Sequence, residues 1–129
     1  MNELLRVVAL RKGRLRPAEF RLREGENGLS LFARLDDPSP IAVIDAVKAA
    51  GKQGDLGAAV LPVDEIRALG LRIVQTRGGT PFQEINDIHY EARFPYWRGI
   101  LLRLRGLRLH DSFNEHLSDR LHAIAHLLD

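Results

Sequence analysis

The sequence predicts an α+β fold: a mainly antiparallel, twisted sheet of about six strands, with about three helices on one side of it. Two patterns support this class. Short apolar runs rich in β-branched residues recur between turn residues, and apolar residues at helical spacing fill the stretches near residues 40–50 and 113–128, the second as a C-terminal amphipathic helix. With 129 residues, no repeat and no linker-like segment, we expect a single domain over residues 1–129.

The first third of the chain is predicted to form strands. Leu4–Leu10 is a short apolar run with two valines, and it ends at a turn over residues 11–13. Residues 20–23 alternate apolar and basic side chains, residues 24–28 are turn formers, and Leu29–Leu35 is apolar again. This order is typical of a β-hairpin made by residues 20–23 and Leu29–Leu35.

A helix followed by a strand–helix–strand unit is predicted in the middle of the chain. Ser39 is placed to cap a helix with proline in its first turn, and Gly51 ends that helix. Leu56–Leu61 is a compact apolar strand, residues 62–69 form a short helix, and Leu71–Val74 is the next strand. A helix this short does not establish a parallel crossover, so the strand direction stays open.

The last third is predicted to contain two strands and the C-terminal helix. Residues 77–83 form a loop before a strand at Ile85–Phe94. In residues 100–109 leucine alternates with arginine and the phase slips at Gly106, which is typical of a strand with a bulge. Ser112, with a glutamate three residues later, matches a capping box. The apolar stripe of the following helix consists of Phe113, Leu117, Leu121, Ile124 and Leu128.

Composition excludes several classes of function. Without cysteine, the chain forms no disulfide, thiolate nucleophile, iron–sulfur cluster or cysteine-ligated zinc site. No segment approaches the roughly 18 apolar residues of a membrane span, and Arg6 interrupts the N-terminal apolar stretch that a secretory signal would need. We expect a soluble cytoplasmic protein without a cofactor. Its bias to arginine, alanine, leucine and glycine is typical of GC-rich bacterial genomes.

The charge distribution is uneven although the formal net charge is only +2. Residues 1–23 carry a net charge of +5, residues 24–92 carry −5 and residues 93–108 carry +5. If the two basic segments lie together, they form one surface that attracts phosphate or an acidic partner. The alternative is that they pair with the acidic middle within the molecule.

This basic surface is the first candidate site. Guanidinium groups projecting from one strand face suit phosphate groups, and a neighbouring aromatic ring can stack on bases. The residues proposed to engage a protein or a nucleic acid are Arg11, Lys12, Arg14, Arg16, Trp97, Arg98, Arg103, Arg105 and Arg108. The sequence leaves open which kind of partner binds and whether the chain forms a homo-oligomer.

His89, Glu91 and Arg93 are the second candidate site, because alternate residues of a strand lie on one face. Glu91 can orient His89 for general acid–base catalysis, while Arg93 or Arg21 holds an anionic group. The alternative is a solvated sheet face on which these charges form cross-strand pairs.

Three weaker features have simpler interpretations. Asp119, His122 and His126 are spaced to chelate a divalent ion, but a solvated helix face is favoured and no metal site is predicted. The N–H groups of residues 76–80 can face a phosphate, although a plain turn is favoured. Ser30 lacks the following glycine of a nucleophile elbow and is expected to be an ordinary strand residue.

Four segments together resemble a diffuse group of small uncharacterised bacterial proteins, often found beside conflict or mobile-element genes: residues 20–21, 24–32, 66–74 and 88–91. The resemblance implies no known activity. It makes Arg21, Ser30 and His89 the polar positions to test.

Two functions remain. The favoured one is a small binding or regulatory module that engages a protein or nucleic-acid partner through its arginines, within a toxin–antitoxin or defence system. The alternative is a small enzyme of nuclease or transferase type, acting on a phosphate-bearing substrate with His89 and Glu91 as acid–base pair. A concave pocket at His89 favours the enzyme, and a flat sheet face favours the module.

Overall fold

The chain folds around one six-stranded antiparallel sheet, described by a computed structural model for residues 1–23, 26, 28–93 and 108–128, with backbone alone at 108–113. The described residues include four α-helices, and the predicted α+β class is confirmed. The strands are β1 (Glu3–Ala9), β2 (Gly28–Ala33), β3 (Leu56–Pro62), β4 (Arg72–Gln75), β5 (His89–Arg93) and β6 (His126–Leu127). The helices are α1 (Pro40–Ala49), α2 (Val63–Ala68), α3 (Gln83–Asn86) and α4 (Arg108–Ile124), and a 3-10 turn spans Pro17–Phe20.

The strand order β4-β5-β2-β1-β3-β6 places β1 and β2 at the centre of the sheet. β1 pairs with β3 over its full length, from Glu3 to Ala9. It pairs with β2 only at Leu4 and Leu5, opposite Ala33 and Phe32. Beyond Leu5 the two central strands no longer pair, which leaves a gap inside the sheet.

Helices cover both faces of the sheet, so the expectation that they lie on one side was wrong. Side chains alternate along β1, with Leu4 and Val8 in a first core and Leu5 and Val7 in a second. The 3-10 turn, α2 and α4 pack on the first core, while α1 and α3 pack on the second. Because β1 and β3 are apolar on both faces, each face needs a cover.

Local signals predicted the middle of the chain correctly. The Ser39 hydroxyl accepts a hydrogen bond from the Ala42 N–H at 3.2 Å and caps α1, as expected. Gly70 has a φ of 86°, the left-handed conformation that ends α2 before β4.

The predicted hairpin of residues 20–23 with Leu29–Leu35 was wrong. Phe20 ends a 3-10 turn, and β2 pairs with β1 and β5 instead. Phe20 and Leu22 are both buried in the first core. The Asn114 side chain accepts from the Leu22 N–H at 3.1 Å and donates to its carbonyl oxygen at 3.0 Å. A side chain of α4 therefore replaces the strand partner.

Two segments that were predicted to be strands differ from that prediction in the structure. The segment Ile85–Phe94 begins as α3, and β5 starts only at His89, because buried Asn86 is held by Thr80 through two hydrogen bonds of 2.7 and 2.9 Å. Most of the predicted strand at residues 100–109 lies outside the described residues, but its last two residues are helical.

The C-terminal helix differs from its prediction at both ends. It begins at Arg108, so Ser112 lies inside the helix and is not its cap. It ends at Ile124, and the chain continues as β6 against β3. Leu117 and Leu121 are buried as predicted, whereas Leu128 has left the helix and packs against the second core.

None of the helices described is long and apolar enough to span a lipid bilayer.

Candidate functional site

Arg6 fills the gap between β1 and β2. It lies between Leu4 and Val8 on β1, and its Nε donates to the Glu19 carbonyl oxygen at 2.6 Å. Its Nη1 donates to the Ser30 carbonyl oxygen at 2.9 Å. Burial lowers the pKa of the Arg6 guanidinium, and the carboxylates of Glu26 and Glu19 oppose that effect. A charged group thus supplies the hydrogen bond that the separated strands lack.

Glu19 holds a buried carboxylate beside Arg6. Its Oε1 accepts from the Ala9 N–H at 2.7 Å and lies 3.9 Å from the Lys52 Nζ. Its Oε2 lies 3.7 Å from Arg16 Nη2. The carboxylate therefore ties the 3-10 turn to the end of β1 and to the segment after α1.

Lys52 reaches the same region from the segment after α1. Its Nζ donates to the Val7 carbonyl oxygen at 2.8 Å, another backbone group on the open side of β1. Burial lowers the pKa of the Lys52 ammonium, and the positive charge of Arg6 acts in the same direction. The guanidinium of Arg6 and the partly exposed ammonium of Lys52 are thus close enough for their charges to interact.

Arg6 and Lys52 line a pocket of about 250 Å³ beside the gap. Its apolar walls are Val7, Phe32 and Val47. Its polar residues are Arg6, Arg23, Glu26, Ser30, Lys52 and Thr80. Among the described residues, the cations Arg6, Arg23 and Lys52 line the pocket together with the carboxylate of Glu26, and Glu19 lies behind it.

His89 lies behind the Ser30 wall of this pocket. Its Nε2 lies 2.5 Å from Ser30 Oγ, and its Nδ1 lies 2.6 Å from Thr76 Oγ1 and 3.3 Å from the Thr76 carbonyl oxygen. The ring packs edge-on against Phe32, with 5.2 Å between the ring centroids. Burial lowers the pKa of His89, while the Thr76 backbone and the charge of Glu91 act in the opposite direction.

The predicted pair of His89 and Glu91 is not in hydrogen-bond contact. Both ring nitrogens of His89 have other partners, and Glu91 Oε2 accepts from Arg93 Nε at 3.1 Å. Arg21 is exposed and is not among the residues that line the pocket. Of the second candidate site, His89 is hydrogen-bonded to Ser30, a residue that lines the pocket.

The basic residues near the N-terminus form a tight exposed turn. Arg11 and Arg14 exchange two backbone hydrogen bonds of 3.1 and 3.0 Å across Lys12 and Gly13. Arg11, Lys12 and Arg14 are exposed, and with Arg16 they line an open cavity of about 600 Å³. We call residues 11–16 the basic turn.

Arg108, a described residue of the C-terminal basic segment, lies far along α4 from the part of that helix that contacts the basic turn. His122 Nε2 lies 3.2 Å from the Leu15 carbonyl oxygen, whereas Asn114 binds Leu22. At 1.5 Å per residue, Arg108 lies about 21 Å along α4 from His122. The other proposed residues of that segment, Trp97, Arg98, Arg103 and Arg105, lie outside the described residues.

The weak metal candidates do not come together. His126 belongs to β6 rather than to α4, and His122 is engaged with Leu15 and with the ring of Phe20. Asp119 is exposed on the helix. Within the described part of the chain, no three histidine or acidic side chains are grouped to hold a metal ion.

Sequence reasoning missed the centre of the pocket. It treated Arg6 as an interruption of an apolar run and as one of the N-terminal cations, and it gave no role to Glu19 or Lys52. One signal was available, because a charged residue inside a buried strand is rare unless it has partners.

The fold and the pocket define an antiparallel α+β protein with a cationic cleft inside its sheet. No protein-family model, curated protein or solved structure matches the chain.

Proposed function

We propose that the protein binds a small anion, a molecule with a phosphate or carboxylate group, in the pocket beside the β1–β2 gap. The observation that carries this proposal is the position of Arg6, whose guanidinium is held by two carbonyl oxygens and lines the pocket. A guanidinium fixed in this way loses little side-chain entropy when it binds an oxyanion.

The charge balance supports an anionic ligand. Burial lowers the pKa of both Arg6 and Lys52, so the protein holds two cations in an environment that disfavours their charge. The carboxylates of Glu19 and Glu26 oppose this lowering of the pKa of Arg6 and Lys52 but do not cancel it. A bound anion acts in the same direction as these carboxylates and relieves the cost of desolvation.

The size of the pocket limits the ligand. Its volume of about 250 Å³ lies below the range of about 300–1,000 Å³ that is usual for drug-sized ligands. Val7, Phe32 and Val47 offer an apolar wall opposite the charges. We therefore propose a phosphate ester or carboxylic acid with a short carbon skeleton.

Thermal unfolding in the presence of inorganic phosphate, methyl phosphate or acetate tests this function, with chloride at equal ionic strength as reference. A ligand that binds only the folded state raises the Tm. Lys52→Met is expected to lose most of that rise. Lys48→Met removes the same charge from an exposed position on α1 and is expected to keep it. If no anion exceeds chloride, or if both variants lose the effect equally, the proposal is wrong.

A second candidate function rests on the basic turn. We propose that it engages a protein or nucleic-acid partner, because Arg11, Lys12 and Arg14 are exposed together. Placement in a toxin–antitoxin or defence system stays a prediction. Anisotropy titrations with mixed RNA and DNA pools at increasing salt test nucleic-acid binding, and flat curves at about 50 mM salt would exclude it. Co-purification of one acidic protein, lost when all three cations are changed to glutamine, would then identify a protein partner.

A further inference from the structure

Three polar side chains form a hydrogen-bonded chain at the edge of the anion pocket. Ser30 lies on β2 and His89 on the neighbouring strand β5, and Thr76 directly follows β4, the next strand in the sheet. Ser30 and Phe32 project to the same face of β2 and both line the pocket. The chain therefore connects the ligand space to a partly buried histidine.

We propose that Ser30 is the nucleophile of a phosphoryl-transfer reaction, with His89 as its general base and a small phosphate ester as substrate. This inference rests on the proposed function for one part only, the binding of the phosphate group. The pairing of nucleophile and base rests on the distance of 2.5 Å between Ser30 Oγ and His89 Nε2.

Thr76 determines which nitrogen of His89 acts as the base. The Thr76 carbonyl oxygen can only accept, so the contact of 3.3 Å places a proton on His89 Nδ1. In the neutral ring Nε2 then has a free lone pair, and it accepts the hydrogen bond from the Ser30 hydroxyl. Burial keeps the pKa of His89 below its ordinary value, so the ring is neutral near pH 7.

The cations of the pocket lie where they can stabilise the negative charge of the phosphoryl group during its transfer. Arg6 Nη1 is bound to the carbonyl oxygen of Ser30 itself, so the guanidinium lies beside the residue that attacks. Lys52 and Arg23 line the same pocket. Cations held around the equatorial oxygens of a phosphoryl group stabilise its transfer.

The reaction needs only the phosphate ester and water as reactants. His89 Nε2 takes the Ser30 proton as Oγ forms a bond to phosphorus, the bond from phosphorus to the ester oxygen breaks, and the departing alkoxide takes the proton from Nε2. In the second half, Nε2 takes a proton from water as the water oxygen bonds to phosphorus. The bond to Ser30 breaks, Oγ regains its proton, and inorganic phosphate leaves.

The test uses p-nitrophenyl phosphate as the probe. We expect the wild-type protein to release p-nitrophenol, and a brief acid quench to leave one phosphoryl group that peptide mass spectrometry locates on Ser30. Ser30→Ala is expected to abolish both signals. His89→Gln is expected to lower the rate about 100-fold. His116→Gln changes an exposed histidine on α4 and is expected to leave the rate unchanged.

Thr76 is a positioning residue, and Thr76→Val tests it through the pH profile. This variant loses the contact of Oγ1 with Nδ1, so the turnover is expected to fall and the acid limb of the profile to shift. The charged group acting on His89 is Glu91 on the same strand, whereas β2 presents the uncharged Ser30 and Phe32. A profile identical to that of the wild type would show that the Thr76 side chain does not position the base, because the Thr76 carbonyl oxygen is retained in this variant.

The outcomes separate this inference from the proposed function. If inorganic phosphate stabilises the protein but no phosphoserine and no p-nitrophenol form, Ser30 is not a nucleophile and the pocket is a binding site only. If Ser30→Ala retains turnover, the inference is also wrong. If phosphate does not bind and no turnover occurs, both fail. Should Ser30→Ala not fold, the location of the phosphoryl group on the wild-type chain still decides.

Discussion

The guanidinium of Arg6 donates from Nη1 to the carbonyl oxygen of Ser30 at 2.9 Å, at the place where β1 and β2 have ceased to pair. In a regular sheet a backbone N–H would satisfy that oxygen. Here a charged side chain does so, and the opening between the two central strands becomes part of a pocket.

Arg6→Met is expected to destabilise the protein. The substitution leaves the carbonyl oxygens of Glu19 and Ser30 without their donor. Each unsatisfied buried group destabilises the fold by about 1–3 kcal/mol. Removal of a buried charge offsets part of this loss. We expect a loss of about 2–4 kcal/mol in urea unfolding. Arg34→Met, which breaks an exposed pair with Glu3, is the control and is expected to cost about 1 kcal/mol or less. Equal losses would contradict a structural role for Arg6.

His89 is expected to make stability depend on pH. Its pKa in the folded protein lies below the ordinary 6.5, so in the window between the two values the unfolded chain binds more protons. The stabilisation is complete above 6.5 and is lost as the pH falls below that value. The free energy of unfolding, measured between about pH 5 and 8, should fall more steeply on acidification for wild type than for His89→Gln. Parallel curves would show that His89 is not responsible.

Lys12→Asn is expected to stabilise the basic turn. Lys12 has a φ of 53° and Gly13 has a φ of 72°, so both central residues of the turn have the left-handed conformation. Asn-Gly adopts such a turn more readily than Lys-Gly, and the free energy of unfolding is expected to rise by about 0.5–1 kcal/mol. Lys48→Asn removes the same charge from α1 and should not stabilise. A higher Tm together with weaker partner binding would indicate that the lysine is kept for its charge.

Gly28→Ala is expected to disturb the pairing of β2 with β5. A Cβ atom at Gly28 would lie 2.6 Å from the Ala92 carbonyl oxygen, a rigid backbone group. The matched control is Gly57→Ala on β3, where the nearest atom is the end of the Leu10 side chain at 3.0 Å. We expect Gly28→Ala to cost at least about 1 kcal/mol more in chemical unfolding. A similar loss of stability in the two variants would argue against the register in which β2 pairs with β5.

Sequence patterns predicted the elements whose signals are local. The apolar runs of β1 and β3 and the capping serine of α1 depend on neighbours within a few residues, and the structure has these elements where they were predicted. The alternation in residues 20–23 led to the wrong prediction of a hairpin. The Leu22 N–H donates to the side chain of Asn114, which is far away in the chain. The start of α4 was placed too late because the capping signal at Ser112 was local and incorrect.

The sequence by itself determined the α+β class, the absence of cysteine chemistry, the basic turn and the interest of Ser30 and His89 as separate positions. Only the tertiary structure decided that these two side chains meet, and that Arg6 lies beside them in a gap of the sheet. The physical reason is strand order. Local periodicity specifies which face of a strand is buried, but the contacts across strands depend on which strands become neighbours.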